Sequence, residues 1–198
     1  MARTEISDGK IGGVMRSPLV VLIAVSSLTA FGAPCSAEQS KTVSGLAVGE
    51  MTPSFPVLAV TGPHKGKEVC YVCEFFGSAP AIFAFFRQAG DDMASVVKEL
   101  DELAGRNKDI RVVAIIIEGQ DSRPWLEKFA QEYRITIPLA VLRKGRDDIT
   151  MKVYKLNANM NNTILMSVKR RVAANLVNVN TENFTILTNT VSKVLDQR

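Results

Sequence analysis

The sequence is poor in the residues that build most active sites. Its 198 residues include one histidine, His64, one tryptophan and three cysteines. With a single histidine, a Ser-His-Asp or Cys-His arrangement would require His64 to reach a distant partner, and no pattern supplies one. The glycine patterns of a P-loop and of a dinucleotide-binding fold are also missing. These absences argue against nucleotide chemistry and triad hydrolysis, and they direct attention to the cysteines.

Clusters of like charge are equally scarce. Lys and Arg number 24 against 20 Asp and Glu, a net charge of +4, and the two signs are interleaved. The densest basic run, 169–171, lies between two apolar runs, as is typical of a hairpin turn. We therefore expect no nucleic-acid partner.

The one apolar run outside the predicted fold lies near the N-terminus. Residues 18–33 follow Arg16, and small residues at Cys35 and Ala37 precede Glu38. This order is typical of a secretory signal peptide, and the apolar run is short for a membrane span. An uncleaved anchor and a lipoprotein acylated at Cys35 are weaker alternatives.

The expected organisation follows from cleavage near Ala37. Residues 1–37 form the signal peptide, 38–47 an N-terminal linker and 48–198 a single domain. The protein is then exported to the periplasm or beyond, and it contacts the membrane only through the signal segment. Cleavage also removes Cys35, so that Cys70 and Cys73 are the only cysteines left in a compartment that permits disulfides.

Apolar periodicity in residues 48–198 predicts an α/β fold. Strands are expected at 55–60, 68–76, 81–86, 110–117 and 139–142, followed by a hairpin of 163–168 and 172–179. Helices are expected after Asp91 or Asp92, after Ser122 and after Thr181. The continuous apolar run 81–86 predicts the central strand. This order indicates a central mixed sheet with an N-terminal β-hairpin and flanking helices.

Four segments in this order resemble the redoxin branch of the thioredoxin-like superfamily. VGEMTPSFPVLAVTG resembles the opening hairpin, AIFAFFR the strand before the active-site loop, RITIPLAVL the cis-proline segment and TILMSVKRRVAANL the terminal hairpin. The resemblance implies a thioredoxin-like fold in an exported bacterial subgroup. It also implies thiol–disulfide chemistry on protein thiols or disulfides, and it assigns the cis-proline position to Pro138.

The sequence departs from that family where the family's reactive cysteine lies. This cysteine directly follows the central strand, at a helix N-terminus that stabilises a thiolate. Here the corresponding segment, 87–91, reads RQAGD and contains no cysteine, and Asp91 and Asp92 would oppose another anion. We expect the usual site to be empty and the C-x-x-C pair, Cys70 and Cys73, to be displaced from it.

Three interpretations of Cys70 and Cys73 remain open. They form a redox centre with Cys70 as the nucleophile, a structural pair in a non-catalytic binding or structural protein, or part of a metal site with His64 and Glu74. Because the chain offers few further ligands, we expect no metal and no cofactor. A bond between the cysteines requires a turn, because three residues of extended strand span about 10 Å.

Overall fold

The computed structural model of the chain describes residues 43–75 and 79–196. The predicted signal peptide, 1–37, lies outside the described residues. None of the helices within those two ranges is long and apolar enough to cross a lipid bilayer.

In the described part of the chain, seven strands form one mixed sheet in the order β2-β1-β5-β4-β3-β6-β7. The strands are Val57–Ala59 (β1), Glu68–Val69 (β2), Ala81–Phe86 (β3), Arg111–Ile116 (β4), Leu139–Val141 (β5), Asn162–Val168 (β6) and Arg171–Val177 (β7). The pairs β3–β4 and β4–β5 are parallel, whereas β1–β2, β1–β5, β3–β6 and β6–β7 are antiparallel. The mixed sheet and the two hairpins confirm the predicted fold class.

Within residues 43–75 and 79–196, five α-helices flank the sheet. They are Tyr71–Glu74 (α1), Asp91–Arg106 (α2), Arg123–Tyr133 (α3), Ile149–Val153 (α4) and Phe184–Asp196 (α5). The apolar side chains of α2, α3 and α5 pack against one face of the sheet, and those of α1 and α4 pack against the other. Two apolar layers therefore enclose the interior strands.

Strand β3 lies in the interior of the sheet. All six of its residues are buried, as the uninterrupted apolar run predicted. Ile82, Ala84 and Phe86 face the α2 side, while Phe83 and Phe85 face the α1 side. Strand β3 pairs with β4 on one side and with β6 on the other. Its amino and carboxyl ends therefore lie at opposite ends of the interior of the sheet.

Several strand ends differ from the sequence prediction by one or two residues, and two differences change the local structure. The strand predicted at 68–76 ends at Val69, and the chain turns into α1. Helix α5 follows a reciprocal pair of hydrogen bonds between Asn180 and Asn183, so these asparagines rather than Thr181 satisfy the backbone at its start.

The packed domain also extends further toward the N-terminus than the predicted boundary at Val48. Ser44 is 1% exposed and Leu46 is 4% exposed. The Ser44 hydroxyl contacts that of Thr163 in β6, and the Asn175 amide donates to the carbonyls of both Ser44 and Leu46. Residues 44–46 are therefore part of the fold, because polar contacts from β6 and β7 hold them in place.

Candidate redox site

Cys70 and Cys73 lie where the chain leaves the edge strand β2. Cys70 is the N-cap residue of α1, and Cys73 lies in the single turn of that helix. The turn brings the two Cα atoms to 5.3 Å, and the cysteines are joined by a disulfide. Of the two conformations that the sequence left open, the chain adopts the one that permits the bond.

Each sulfur contacts a different hydrogen-bond donor. The backbone amide of Cys73 donates to Cys70 Sγ over 3.2 Å. Cys73 Sγ lies 3.4 Å from the hydroxyl of Ser54, in the segment before β1. Cys70 is half-buried and Cys73 is exposed. Solvent and large thiols therefore reach the second cysteine of the pair more readily than the first.

The residues between the cysteines belong to the core. Tyr71 is 2% exposed and Val72 is 4% exposed, and both pack in the same apolar cluster as Phe83 of β3. Burial raises the pKa of Tyr71 to about 12, with a smaller contribution from the charge of Glu74. Among the described residues, the Tyr71 hydroxyl has no hydrogen-bond partner. Helix α1 is thus anchored by apolar packing while its disulfide lies at the surface.

Charged side chains of residues 64–74 form pairs. His64 Nε2 lies 3.0 Å from Glu74 Oε1, Arg143 pairs with Glu68, and Lys65 Nζ lies 3.5 Å from Glu127 Oε1. In the described part of the chain, no three His, Cys, Asp or Glu side chains are grouped closely enough to hold a metal ion. Of the four residues considered as metal ligands, Cys70 and Cys73 form the disulfide, and His64 and Glu74 contact each other.

Arg170 is the cation that connects to the disulfide. Its Nη2 donates to Ser54 Oγ over 3.3 Å and to the carbonyl of Thr52 over 3.4 Å. Arg170 belongs to the β6–β7 turn, so it is distant from the cysteines in sequence. Neither Ser54 nor Arg170 was predicted as a site residue, because 19 and 116 residues separate the contacting pairs Ser54–Cys73 and Ser54–Arg170.

Comparison with known proteins identifies the fold. No protein-family model matches the sequence, and no curated protein matches it. Among solved structures, one assigned as the thiol:disulfide interchange protein DsbE from Chlorobium tepidum is 16% identical, with a TM-score of 0.60 over 76% of this chain and 99% of that one. This chain has a thioredoxin-like fold.

Two further structures show the range of thioredoxin-like proteins that share this architecture. The thioredoxin domain of a thiol-disulfide oxidoreductase from Bacteroides vulgatus has a TM-score of 0.59 and 15% identity, over 75% of this chain and 98% of that one. A peroxiredoxin-like protein from Aquifex aeolicus has a TM-score of 0.54 and 13% identity, over 75% and 88% of the two chains. At these identities the likeness establishes the fold alone.

The usual thioredoxin-like cysteine position contains other residues here. Residues 87–90 connect β3 to α2 and border an open cavity of about 560 Å³. The N-cap of α2 is Gly90, without a side-chain capping bond, whereas Asp91 and Asp92, one of which was expected to cap the helix, lie in its first turn. Two carboxylates thus occupy the end of a helix where a thioredoxin-like enzyme would stabilise a thiolate.

Pro138 does not border this loop. It directly precedes β5, which pairs with β4 and β1, so β4 separates it from β3. The segment beside the loop is instead the one before β6, where the Asn161 carbonyl accepts a hydrogen bond from Arg87 N over 2.9 Å. The Ile-Pro pattern at 137–138 introduces a parallel strand rather than the antiparallel strand beside β3. The cis-proline role expected for Pro138 stays a prediction.

Proposed function

We propose that the protein is an exported thiol–disulfide oxidoreductase that exchanges its Cys70–Cys73 bond with thiols of client proteins. The observation that carries this proposal is the exposed position of residue Cys73 within a bonded pair. Exposed disulfides tend to be the reducible ones, whereas buried structural disulfides resist exchange. Thioredoxin-like neighbours described as interchange proteins and oxidoreductases support the same class of reaction.

The reaction consists of two exchange steps. A client thiolate attacks Cys73 Sγ, a client–Cys73 bond forms, the Cys70–Cys73 bond breaks, and its electron pair goes to Cys70 Sγ. A second client thiolate then attacks the client sulfur of the mixed disulfide, and the electron pair leaves on Cys73 Sγ. The client dithiol is oxidised to a disulfide, and Cys70 and Cys73 take up the two protons that it loses.

The order of attack follows from exposure. The sequence favoured Cys70 as the nucleophile, but the half-buried position of Cys70 and the exposed position of Cys73 favour attack at Cys73. The amide of Cys73 already donates to Cys70 Sγ, and this donor would stabilise Cys70 as the first leaving thiolate. In this proposal Cys73 holds the client, and Cys70 is the partner that is displaced as a thiolate.

Export is part of the proposal. It is supported by the signal-like pattern of residues 1–37 and by a disulfide, which persists in oxidising compartments. Intact mass and N-terminal sequencing of the protein purified from the periplasm would test it. A start at Glu38 is the expected result, and protein that is found only in the cytoplasm with residues 1–37 attached would contradict it.

The decisive experiment is a redox titration. The native protein is equilibrated across a glutathione series, thiols are alkylated, and intact mass reports the oxidised fraction. The oxidised fraction is expected to reach one half at about −200 mV, in the range of exchange catalysts. A bond that survives to potentials below about −300 mV would instead indicate a structural disulfide that fastens the buried residues of α1 to the core.

A trapping experiment tests which of the two sulfurs bonds to the client. The Cys70→Ser and Cys73→Ser variants are each incubated with a peptide whose one cysteine is an activated disulfide, so that the protein thiolate displaces the activating group, and peptide mass spectrometry locates the adduct. We expect the adduct at Cys73 in the first variant to form several-fold faster than the adduct at Cys70 in the second. The matched serine substitutions keep size and polarity similar, so equal rates would contradict the assignment of Cys73.

A further inference from the structure

A chain of contacts extends from the disulfide to the β6–β7 turn. Arg170 Nη2 lies 3.3 Å from Ser54 Oγ, which lies 3.4 Å from Cys73 Sγ. Arg170 has only donors, so the Ser54 oxygen accepts from it. A bonded sulfur has no proton, so the Ser54 hydroxyl is the group that can donate to Cys73. The hydroxyl proton is therefore available to the sulfur while its oxygen faces a cation.

We propose that Ser54 and Arg170 are positioning residues that stabilise the Cys73 thiolate when it leaves the client. This inference rests on the proposed function, in which the second exchange step places the electron pair on Cys73 Sγ. Ser54 supplies the hydrogen bond to the sulfur. Arg170 acts through Ser54, because its guanidinium holds and polarises the hydroxyl.

The physical basis is the difference between a bonded sulfur and a thiolate as acceptors. A hydrogen bond to the charged form of a thiol lowers its pKa, and a cation that holds and polarises the donating hydroxyl strengthens that hydrogen bond. An arginine guanidinium carries a positive charge in proteins. Arg170 is half-buried and is also tied to the Thr52 carbonyl, so solvent screens its charge less than that of a fully exposed side chain.

The two sulfurs thus differ in what supports them. Cys70 Sγ has a backbone amide as donor, which no substitution of Cys73 to another non-proline residue removes. Cys73 Sγ has a side-chain hydroxyl, which a single substitution removes. Ser54→Ala therefore isolates the contribution to Cys73 without changing the donor of Cys70.

The test is the pH profile of Cys73 alkylation in a Cys70→Ala background. Rates of reaction with iodoacetamide are followed by peptide mass spectrometry, which separates Cys73 from Cys35. Ser54→Ala is expected to raise the midpoint by roughly 0.5 to 1 pH unit, which lowers the thiolate fraction at pH 7 about three- to tenfold. Arg170→Met should shift the midpoint in the same direction, and Arg170→Lys should recover part of that shift.

A matched control lies next to Arg170 in the same turn. Lys169 is exposed and carries the same charge, and Lys169→Met should leave the midpoint unchanged. The double variant Ser54→Ala/Arg170→Met should shift the midpoint no further than Ser54→Ala alone, because Arg170 acts through the hydroxyl. A merely structural role of Ser54 would alter stability without moving the pH profile.

The results separate this inference from the proposed function. A wild-type disulfide that never exchanges with thiols overturns the proposed function and this inference together. A wild-type disulfide that exchanges, combined with an unchanged midpoint in Ser54→Ala, overturns the inference alone. A shift in Lys169→Met equal to that in Arg170→Met would also overturn it, because the effect would then be one of general surface charge.

Discussion

Two regions at opposite ends of β3 divide the features of a thioredoxin-like active site. The loop 87–90 follows the carboxyl end of β3 and leads into the sixteen-residue helix α2, but it contains no cysteine. The cysteine pair contacts Ser54 and, through it, the β6–β7 turn, which lies beside the amino end of β3 because Ala81 pairs with Ser167. Six strand residues, about 20 Å, separate the two ends.

The difference shows that the surroundings of a thiol can be built in more than one way. At the end of β3 the available stabilisation is a helix N-terminus, already partly neutralised by Asp91 and Asp92. At the disulfide, helix α1 has only four residues, and the donors are one amide, one hydroxyl and a guanidinium behind it. The first arrangement relies on a long helix, and the second relies on individual side chains from distant segments.

The largest expected effect is a loss of stability when buried side chains of β3 are removed, and the two regions differ in how far the disulfide is affected. Phe83→Ala and Phe86→Ala should each lower the free energy of unfolding by roughly 3–5 kcal/mol, because both side chains are 1% exposed. Only Phe83 packs against Phe75, at a centroid distance of 6.3 Å, directly after α1. Phe83→Ala should therefore also speed reduction of the disulfide by dithiothreitol under native conditions. Urea unfolding measures the stability, and timed alkylation measures the rate of reduction. Equal reduction rates in the two variants would contradict a specific effect of Phe83 on the disulfide.

A smaller effect is expected from reduction of the disulfide itself. The bond closes a loop with a sequence separation of 3, for which chain entropy predicts a stabilisation of about 2 kcal/mol. Urea unfolding of the oxidised and reduced forms measures this difference. In the other region, Gln88→Ala changes an exposed loop residue and should stay within about 0.5 kcal/mol of wild type. A reduced protein that fails to fold would show that the bond is chiefly structural.

The buried tyrosines Tyr71 and Tyr154 provide a comparison in which the expected change in the free energy of unfolding is about 1 kcal/mol. Tyr154 donates its hydroxyl proton to the Pro53 carbonyl, whereas the Tyr71 hydroxyl has no partner in the described structure. Tyr154→Phe should lower the free energy of unfolding by about 1–2 kcal/mol, and Tyr71→Phe should leave it unchanged or raise it by up to about 1 kcal/mol. Thermal or urea unfolding of both variants tests this, and a larger loss in Tyr71→Phe than in Tyr154→Phe would contradict it.

A further effect is a dependence on alkaline pH. The pKa of Tyr71 is raised from 10.0 to about 12, mainly by burial, so the folded state favours the neutral form. This contribution to stability is complete below pH 10 and is lost as the pH rises toward 12. Residues 87–92 contain no tyrosine or cysteine, so the loop at the other end of β3 contributes no such loss. Urea midpoints between pH 9 and 12 should fall less steeply in Tyr71→Phe than in wild type, and parallel curves would contradict the assignment.

Much of the fold was accessible from local pattern. The apolar runs that became β3 and β4 and the periodicity of α2 and α3 predicted elements of the correct type, because these segments are long and their burial is regular. The stretch after β2 was ambiguous. The consecutive apolar residues 69–73 suit a buried strand, whereas in the structure the amides of Glu74 and Phe75 donate to the carbonyls of Cys70 and Tyr71, so the chain turns there.

The site was accessible only in part. The C-x-x-C spacing identified the two cysteines, but the contacts from Ser54 and Arg170 depend on how distant segments meet across the sheet. The position of Pro138 illustrates the same limit, because an Ile-Pro pair precedes parallel and antiparallel strands alike. Pairing partners, which differ for β5 and β6, distinguish the two cases, and local sequence does not encode them.

The β6–β7 turn has a consequence for attempts to make this protein more heat-resistant. Lys169 and Arg170 both adopt left-handed backbone conformations, with φ of 48° and 60°, in a turn where Asn-Gly would be less strained. Replacing this pair with Asn-Gly is the obvious change for an engineer who considers melting temperature alone. The same change would delete the guanidinium that contacts Ser54, so the more robust variant would have lost the cation next to its disulfide. At this turn, a substitution that raises the melting temperature would therefore also change the surroundings of Cys73.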